Sequence, residues 1–312
     1  MTARWPVAIL GSGDTATDLM VKIVRSTGPL HLAAVAGTVP AADGLAYATR
    51  LGVPTTCAGI HGLQAMTQFM DIRLIFDATS PMTPQQIWVP LHDSGIRVLN
   101  LTSSSIGKCC VPAVGLDDYL EEPHLHLGTF GGQATVPIVA AIARHHVVSY
   151  AEVVSSISAS SADPQTRGAI DEFIETTSAD LQSIGGAQLA KVVLVLNPAE
   201  PAVAMRNTVY CLINEPTDRH TIEGDIAAMV RAVNSYVPGY RLKRGVQFET
   251  FDADNPLYIP QIGRFTGTRV TVLLEVSGAA DHLPPHAGNL DIMTSAAKAT
   301  AERLAEYAGA RT

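Results

Sequence analysis

Residues 7–26 read VAILGSGDTATDLMVKIVRS, an apolar run followed by a glycine-rich turn and a segment of mixed polarity. The apolar run predicts a buried strand, and the spacing of the apolar residues after the turn predicts a helix. Residues 30–38, LHLAAVAGT, predict a second strand, so the chain begins with a strand–helix–strand unit. Such units build doubly wound parallel sheets, and we therefore predict an α/β domain at the N-terminus.

The turn itself, GSGDTA at residues 11–16, matches the G-x-G-x-x-G/A pattern of Rossmann-type dinucleotide-binding loops. The first glycine permits the turn, the second lets the backbone approach a pyrophosphate, and the small Ala16 allows close contact between helix and strand. The pattern predicts cofactor contacts from Gly11, Ser12, Gly13, Asp14 and Thr15.

The second predicted strand lacks the acidic residue that usually holds the ribose hydroxyls, because it ends in Thr38 and Val39. Asp43 follows, but we expect it to cap a helix. Asp14 places a carboxylate close to the cofactor phosphates. We therefore expect NAD or NADP to bind weakly.

The alternation of strands and helices continues to about residue 130, after which longer strands and fewer helices predict α+β packing. Residues 289–310, NLDIMTSAAKATAERLAEYAGA, predict a long C-terminal helix. We predict a dinucleotide-binding domain over residues 1–130, an α+β catalytic and dimerisation-like domain over residues 131–285, and a helix over residues 286–312 that packs back on the first domain.

The composition limits the partners of the chain. With 312 residues and 47% hydrophobic content the chain can bury a large core, and its formal charge of −8 argues against nucleic acid. Its apolar runs are too short for a membrane span and its N-terminus does not read as a signal peptide, so we expect a cytoplasmic protein. The four cysteines fit neither a metal nor a disulfide spacing, and we expect no metal and reduced, mostly buried thiols.

Residues 128–137, GTFGGQATVP, predict the start of a helix. The glycine pair permits a tight turn, Thr135 is expected to cap, and Pro137 is expected in the first turn. Phe130 then lies at a helix N-terminus. Such a position lowers the pKa of a thiol or stabilises an oxyanion, whereas a benzyl group uses neither property.

Many motifs together indicate one family, among them VAILGSG, FDATS, FGGQATVP, IDEF, LNPAEP, YVPGYRLK and AGNLDIMTSAA. The chain resembles the acylating acetaldehyde dehydrogenases that partner 4-hydroxy-2-oxovalerate aldolases, from about residue 6 to residue 306. The resemblance implies a two-domain architecture like that of glyceraldehyde-3-phosphate dehydrogenase, a homodimer, and an aldolase partner. It also implies the use of NAD and coenzyme A.

In that family a cysteine attacks the aldehyde, hydride leaves to the nicotinamide, and the acyl-thioenzyme is released to coenzyme A. A cysteine suits this chemistry because its thiolate adds to the aldehyde and later leaves from a thioester. The family stretch reads CGGQAT, and Phe130 occupies the position of its cysteine. The resemblance therefore implies that coenzyme A is not acylated here.

Other positions expected at the family's site also differ. SADPQTRGA at residues 161–169 replaces a stretch like SAGPGTRAN, which reduces access to the backbone and adds a carboxylate. The resemblance assigns cofactor contacts in this loop to Ser161, Ala162, Asp163, Pro164, Gln165, Thr166, Arg167 and Ala169.

Three further site positions follow from the resemblance. Asn207 stands where an acidic residue near the reacting centre is expected, and an amide cannot act as a general base. Gln133 matches the family, and so does Asn289, which corresponds to the asparagine thought to position the nicotinamide. Positions that hold the fold thus match the family, while many that touch cofactor or substrate depart from it.

Three functions stay open. The first is a dehydrogenase-like subunit without acylating activity that binds or regulates an aldolase-type partner. The second is a NAD(P)-binding enzyme that performs non-thioester chemistry on a small carbonyl substrate, and the third is acylation through another thiol, Cys109 or Cys110. We interpret His124 and His126 as structural histidines rather than bases.

Overall fold

The computed structural model describes residues 4–79, 86–87, 89–101, 106–162, 168–214 and 218–311. The predicted contacts of Asp163 to Arg167 lie outside these ranges. The chain divides into two compact units. The first comprises Met1–Gly128, Ala280–Pro284 and Met293–Thr312, and the second comprises Thr129–Ala279 and Pro285–Ile292.

The first unit contains a seven-stranded sheet in which every neighbouring pair of strands is parallel. Its order is β3-β2-β1-β4-β5-β7-β6, so the chain leaves β1 first to one side and then to the other. This arrangement confirms the α/β, doubly wound prediction. The strands are β1 (Trp5–Leu10), β2 (Leu30–Ala36), β3 (Thr55–Thr56), β4 (Leu74–Asp77), β5 (Arg97–Asn100), β6 (Lys108–Cys109) and β7 (His124–His126).

Helices α1 (Asp14–Arg25), α2 (Asp43–Arg50) and α3 (Gly59–Gln64) connect the first strands of this sheet. Helix α1 follows the glycine turn directly, as the sequence predicts. The residue before α2 is Ala42, which makes no side-chain cap, and Asp43 is the first helical residue. The predicted capping role of Asp43 is therefore wrong.

The second unit is built around a six-stranded sheet in the order β11-β15-β10-β8-β9, with β12 also paired to β15. Only β8 and β9 are parallel. Two further strands, β13 and β14, form a separate hairpin. The strands are β8 (Val148–Ser158), β9 (Ala190–Asn197), β10 (Met205–Ile213), β11 (Tyr240–Leu242), β12 (Gln247–Phe251), β13 (Leu257–Ile259), β14 (Gly263–Phe265) and β15 (Gly267–Val276).

Among the described residues, three helices lie wholly in the second unit: α4 (Phe130–Ala143), α5 (Ile170–Ser183) and α6 (Arg219–Asn234). Helix α4 packs on both other helices and on the sheet, and all but two of its 14 residues are buried. A helix that is apolar on every side is stable only inside a core. The predicted mixture of a parallel-sheet domain and an α+β domain is thus observed.

The start of α4 corrects one local prediction. Thr129, not Thr135, caps the helix, because its side chain accepts a hydrogen bond from the backbone N–H of Gly132. Thr135 lies inside the helix and donates its hydroxyl to the carbonyl of Gly131. Pro137 is interior rather than in the first turn. An interior proline removes one backbone hydrogen bond, and α4 nevertheless runs unbroken over its 14 residues.

The C-terminal helix α7 (Gly288–Gly309) begins in the second unit, and its residues from Met293 onward belong to the first. Within the first unit, Thr294 donates to the buried carboxylate of Asp18 at 2.6 Å. Lys22 lies 2.8 Å from the same carboxylate. A fully buried carboxylate is tolerated here because it is paired and hydrogen-bonded.

The cysteines are less buried than predicted. Cys110 and Cys211 are buried, Cys109 is half-buried, and Cys57 is exposed. The two accessible thiols lie at or just after the edge strands β6 and β3, where no further strand covers them. Within the described residues, no helix is long and apolar enough to cross a membrane.

Candidate functional site

The glycine turn after β1 joins that strand to helix α1. Gly11 adopts φ +134°, and a Cβ there would lie 2.6 Å from the carbonyl oxygen of Ala78. Only glycine fits such a conformation and such a close approach. Gly13 precedes α1 in extended conformation, and nothing lies within 4 Å of its Cβ position. The N-terminal end of α1 therefore has free space beside Gly13.

Two glycines that sequence reasoning missed hold this turn in place. A Cβ on Gly44 would lie 2.4 Å from the backbone oxygen of Ser12, and one on Gly37 would lie 2.8 Å from the Ser12 hydroxyl. Both glycines follow β2, in AGT and ADGLA. Their presence was visible in the sequence, but their contact with Ser12 depends on the tertiary fold.

The region after β2 contains the position at which the sequence predicts a weak ribose contact. Val39 is 56% exposed, so an apolar side chain occupies the place of the expected acid. The Asp14 side chain is 82% exposed and lies 3.9 Å from His282. Asp14 therefore leaves the backbone N–H groups of α1 uncapped, in keeping with a free phosphate position.

A row of polar residues ends four neighbouring strands of the first sheet. Register pairs Asp77 with Asn100, Asn100 with His126, and His126 with Cys109. The Asp77 carboxylate accepts a hydrogen bond from the Asn100 amide at 2.8 Å and one from the Thr79 hydroxyl at 2.7 Å. Burial raises the pKa of Asp77, while its bonds to Thr79 lower it.

His124 and His126 are both buried on β7. Burial lowers the pKa of each to about 4, and for His126 the nearby His124 adds to the shift. Both rings are therefore neutral near pH 7. No described residue is a hydrogen-bond partner of Nδ1 of His126.

Phe130 is the first residue of α4, and its ring is 9% exposed. The ring packs on Phe173 of α5, with 4.6 Å between ring centroids and 31° between ring planes. Gly131 is needed for this packing, because a Cβ there would lie 2.6 Å from Cζ of Phe173. An aromatic pair thus occupies the first turn of α4.

Polar side chains also lie beside the first turn of α4. The Thr129 hydroxyl lies 2.7 Å from that of Thr177, which lies 2.7 Å from the carbonyl of Phe173. Thr177 donates to the carbonyl, so Thr129 donates to Thr177. The buried carboxyl group of Asp180 lies 3.2 Å from the Cβ position of Gly132. An acidic group of the protein therefore already lies beside this helix N-terminus.

Gln133, Asn207 and Asn289 are each almost fully buried in the second unit. Asn207 accepts a hydrogen bond from the Ser155 hydroxyl at 2.7 Å, and its amide nitrogen has no partner among the described residues. Asn289 donates to the carbonyl of Ser161 at 3.2 Å, and its amide oxygen likewise has none there. The structure thus brings Asn289 to the loop that begins at Ser161.

The remaining predicted loop positions that the structure describes are Ala162 and Ala169. Ala162 is buried, and Ala169 precedes α5 and makes no side-chain cap. Sequence reasoning missed Phe173, Thr177 and Asp180, all on α5. The only available signal was the amphipathic pattern IDEFIETTSADL, which predicts a buried face without naming its partner.

Known proteins are similar to this chain over nearly its whole length. Residues 130–284 match the family described as "Prokaryotic acetaldehyde dehydrogenase, dimerisation". A protein of Mycolicibacterium vanbaalenii named "Probable inactive acetaldehyde dehydrogenase 1" is 58% identical over 304 residues, which cover 97% of this chain and 96% of the relative. The chain belongs to the acetaldehyde dehydrogenase family. The recognition made from the sequence motifs is therefore confirmed.

Other members of the acetaldehyde dehydrogenase family carry no such qualification in their names. "Acetaldehyde dehydrogenase 4" of Burkholderia lata is 53% identical over 299 residues, 96% of this chain and 95% of the relative. "Acetaldehyde dehydrogenase" of Pseudomonas putida is 50% identical over 308 residues, 98% of each. Across the described residues, no group of three or more His, Cys, Asp or Glu side chains could hold a metal ion.

A nicotinamide cofactor and coenzyme A fit the residues of this chain to different degrees. In the first unit, the open Gly13 position leaves room for a group such as a pyrophosphate. Taken separately, the buried amide oxygen of Asn289 in the second unit is an acceptor that suits an N–H donor. The exposed Val39 offers the ribose nothing comparable to a carboxylate. Acyl transfer to coenzyme A does not fit, because the first residue of α4 presents a ring instead of sulfur.

Proposed function

We propose that this chain is a dehydrogenase-like protein without acylating activity that binds or regulates an aldolase-type partner. One observation carries the first half of the proposal: the Phe130 ring lies buried against Phe173 at the start of α4. A carbon side chain can neither add to an aldehyde nor leave from a thioester. Loss of the covalent route leaves several kcal/mol of the reaction barrier unaddressed.

The residues around Phe130 accommodate its ring, which supports the loss of the cysteine chemistry. Gly131 leaves the space that Phe173 needs to pack on the Phe130 ring. Asp180 adds a carboxyl group beside the same turn, and an anionic thiolate or oxyanion is disfavoured near a second acid. Asn207 supplies an amide where a general base is expected.

The second half of the proposal rests on the family. The chain resembles enzymes that partner an aldolase. A subunit that has lost its own catalytic activity can still bind and stabilise such a partner, because the fold and the catalytic site are separable. The family described for residues 130–284 is a dimerisation family, which supports a homodimer.

Co-purification with an aldolase from the same cell tests the partner. We expect the aldolase to bind this chain and to lose stability or turnover in its absence, with an unrelated protein at equal concentration as the control. An aldolase that neither binds nor changes its turnover and thermal stability would remove this half of the proposal, whatever the outcome for acylation.

A second candidate function is that of a NAD(P)-binding enzyme that performs non-thioester chemistry on a small carbonyl compound. The open Gly13 position and the Asn289 amide oxygen favour it. When bound, the cofactor would supply a hydride acceptor or donor, the turn at Gly11 to Thr15 would hold its phosphates, and Asn289 would accept a carboxamide N–H.

Calorimetry with NAD, NADP and coenzyme A at millimolar concentration tests this candidate. We expect uptake of a nicotinamide cofactor that the Asn289→Leu variant weakens, while an exposed-site variant such as Val24→Ala does not. Heats indistinguishable from dilution for all three compounds would exclude the candidate.

Acylation through another thiol is the third possibility, and following NADH with acetaldehyde and coenzyme A tests it directly.

A further inference from the structure

The amino end of the first sheet contains a cavity of about 470 Å³. Its lining comes from the first residues of β1 and β2, the last turn of α1, and the segments that precede β3 and β4. All of these segments belong to the first unit. Because the strands are parallel, the cavity lies at the edge of the sheet opposite the glycine turn. Cavities of roughly 300–1,000 Å³ commonly hold small molecules, so this one has room for a ligand of its own.

Apolar side chains make up most of the lining. Ile23, Leu30 and Leu32 are buried, whereas Val24 and Leu51 are each 41% exposed. A ligand that covered Val24 and Leu51 would remove their apolar surface from water, which favours binding. The lining therefore predicts a ligand with an apolar body.

Two opposite charges, Arg4 and Asp71, line the same cavity. Arg4 precedes β1 and Asp71 precedes β4, and these strands are parallel neighbours. The N–H of Arg73 donates to the carbonyl of Pro6 at 2.9 Å, and each of the two charged residues lies two positions before that hydrogen bond. The Arg4 guanidinium donates to the carbonyl of Ser26 at 2.9 Å and keeps further donors. Within the described structure Arg4 and Asp71 form no ion pair with each other, so both charges are available to a ligand.

The C-terminal ends of α1 and α2 add to the negative side of this charge pattern. The last turn of α1 lines the cavity, and so does Leu51, which directly follows α2. A helix C-terminus carries partial negative charge and favours a cation. The basic residues at these two ends do not line the cavity, because Arg25 pairs with Asp281 and Arg50 lies over the Tyr47 ring. Asp71 and the two helix ends together favour an ammonium group.

We propose that this cavity binds an apolar α-amino acid. The apolar side chain of the ligand lies against Val24 and Leu51, its carboxylate binds Arg4, and its ammonium group binds Asp71. The planar guanidinium suits a carboxylate because it can donate two parallel hydrogen bonds. The inference goes beyond the proposed function, because the cavity shares no residue with the glycine turn or with the start of α4.

The other polar side chains of the lining are His31 and Gln68. Each can hydrogen-bond either polar group of an amino acid, so they are compatible with the proposed ligand. A polyanion such as a nucleotide is disfavoured by Asp71 and by the helix C-termini. A ligand without charge would leave Arg4 and Asp71 unused.

Calorimetry of the full chain with L-leucine and L-phenylalanine at up to millimolar concentration tests the cavity. We expect saturable binding of at least one of them. For L-leucine, the analogue without the ammonium group is 4-methylpentanoate and the analogue without the carboxylate is 3-methylbutylamine. For L-phenylalanine, the corresponding analogues are 3-phenylpropanoate and 2-phenylethylamine. We expect each analogue to bind about tenfold more weakly than its parent, because one charged hydrogen bond is lost.

Two substitutions assign the charges. Asp71→Asn should weaken the amino acid about tenfold and leave the analogue without an ammonium group unchanged. Arg4→Gln should weaken the amino acid similarly and leave the analogue without a carboxylate unchanged. Asp93→Asn, a fully exposed acid of the first unit that does not line the cavity, is the matched control. Urea midpoints of all variants show whether each one still folds.

Three results would overturn the inference. The first is the absence of saturable binding for both amino acids. The second is an analogue that binds as tightly as its parent amino acid. The third is unchanged amino acid affinity in Asp71→Asn or Arg4→Gln with an unchanged urea midpoint. Because the readout involves neither a nicotinamide cofactor nor an aldolase, any of these results leaves the proposed function untouched.

Discussion

Two helix N-termini of this molecule can be compared, and they differ in what lies against them. The turn before α1 has two glycines, no side-chain cap, and free space at Gly13. The turn that begins α4 also has two glycines, but Thr129 caps it, the Phe130 ring fills it, and Asp180 lies beside it. A helix N-terminus attracts anions in both cases. Only the first leaves room for one.

The largest expected effect comes from a substitution at Gly11 that strains the backbone of the open turn before α1. Gly11→Ala places a Cβ 2.6 Å from a backbone oxygen at φ +134°, and we expect a loss of more than about 3 kcal/mol in the free energy of unfolding. Gly13→Ala is the matched control, since nothing lies within 4 Å of its Cβ. Urea titration measures both, and equal midpoints would contradict the account of the turn.

The filled turn is tested by removing its ring. Phe130→Ala deletes a buried aromatic side chain from the contact with Phe173, and we expect about 3 kcal/mol of destabilisation from lost burial and a residual cavity. Exposed Tyr258→Ala is the control and should cost less than about 0.5 kcal/mol. A near-neutral Phe130→Ala in chemical denaturation would mean that the ring does not support the fold.

These two regions also show what a single sequence can and cannot predict. The glycine turn was predictable because its signal is local: an apolar strand, Gly11, Gly13 and a helix follow one another. The start of α4 was predictable to within a few residues for the same reason. The choice of Thr129 over Thr135 as cap was not, since both lie within three residues of the glycine pair and both are competent caps.

The sequence does not predict contacts between residues that lie far apart along the chain. Phe173 packs on Phe130 from 43 positions away, and Gly44 meets Ser12 only after α1 and β2 have folded. The row of Asp77, Asn100, His126 and Cys109 depends on strand order, which sequence periodicity does not give. The fold class was therefore accessible from pattern and family resemblance, while the neighbours of each site residue were not.

The buried histidines of the first sheet predict a pH dependence of stability. Burial lowers the pKa of His124 and His126 from 6.5 to about 4, so the folded state disfavours their protonation. Stability is fully present above pH 6.5 and falls as pH drops from 6.5 toward 4, by up to roughly 3 kcal/mol for each histidine.

Denaturant titrations at pH 7, 6, 5 and 4.5 measure this fall, and His124→Asn should remove part of it. A slope that is the same in the variant as in the original chain would show that His124 contributes nothing to the fall, and a rise in stability over this interval would show that protonation of these rings favours the folded state.

The anion preference of the filled turn can be measured after a thiol is introduced. In Phe130→Cys we expect a thiol whose pKa falls by about one unit when Asp180→Asn is added, because a neighbouring carboxylate disfavours a thiolate. Asp14→Asn, an exposed acid of the other turn, is the control. The alkylation rate of residue 130 as a function of pH gives the value. If Asp180→Asn leaves the pKa of the thiol at residue 130 unchanged, Asp180 does not influence an anion at this helix N-terminus.

The smallest effect concerns the open turn and its missing ribose contact. Val39→Asp restores a carboxylate where the chain has an exposed apolar side chain, and we expect NAD affinity to rise about tenfold through hydrogen bonds to a charged group. Val24→Asp, another exposed valine of the first unit, is the control. Calorimetry decides, and unchanged affinity would place the ribose elsewhere.

One measurement tests the central claim most directly: incubation of the unmodified chain with acetaldehyde, NAD and coenzyme A, with NADH followed by absorbance and acyl adducts sought by intact-mass spectrometry. The account predicts no NADH above the enzyme-free rate and no added acyl mass. Sustained NADH formation in step with acetyl-coenzyme A, or an acyl group on any side chain during turnover, would contradict it.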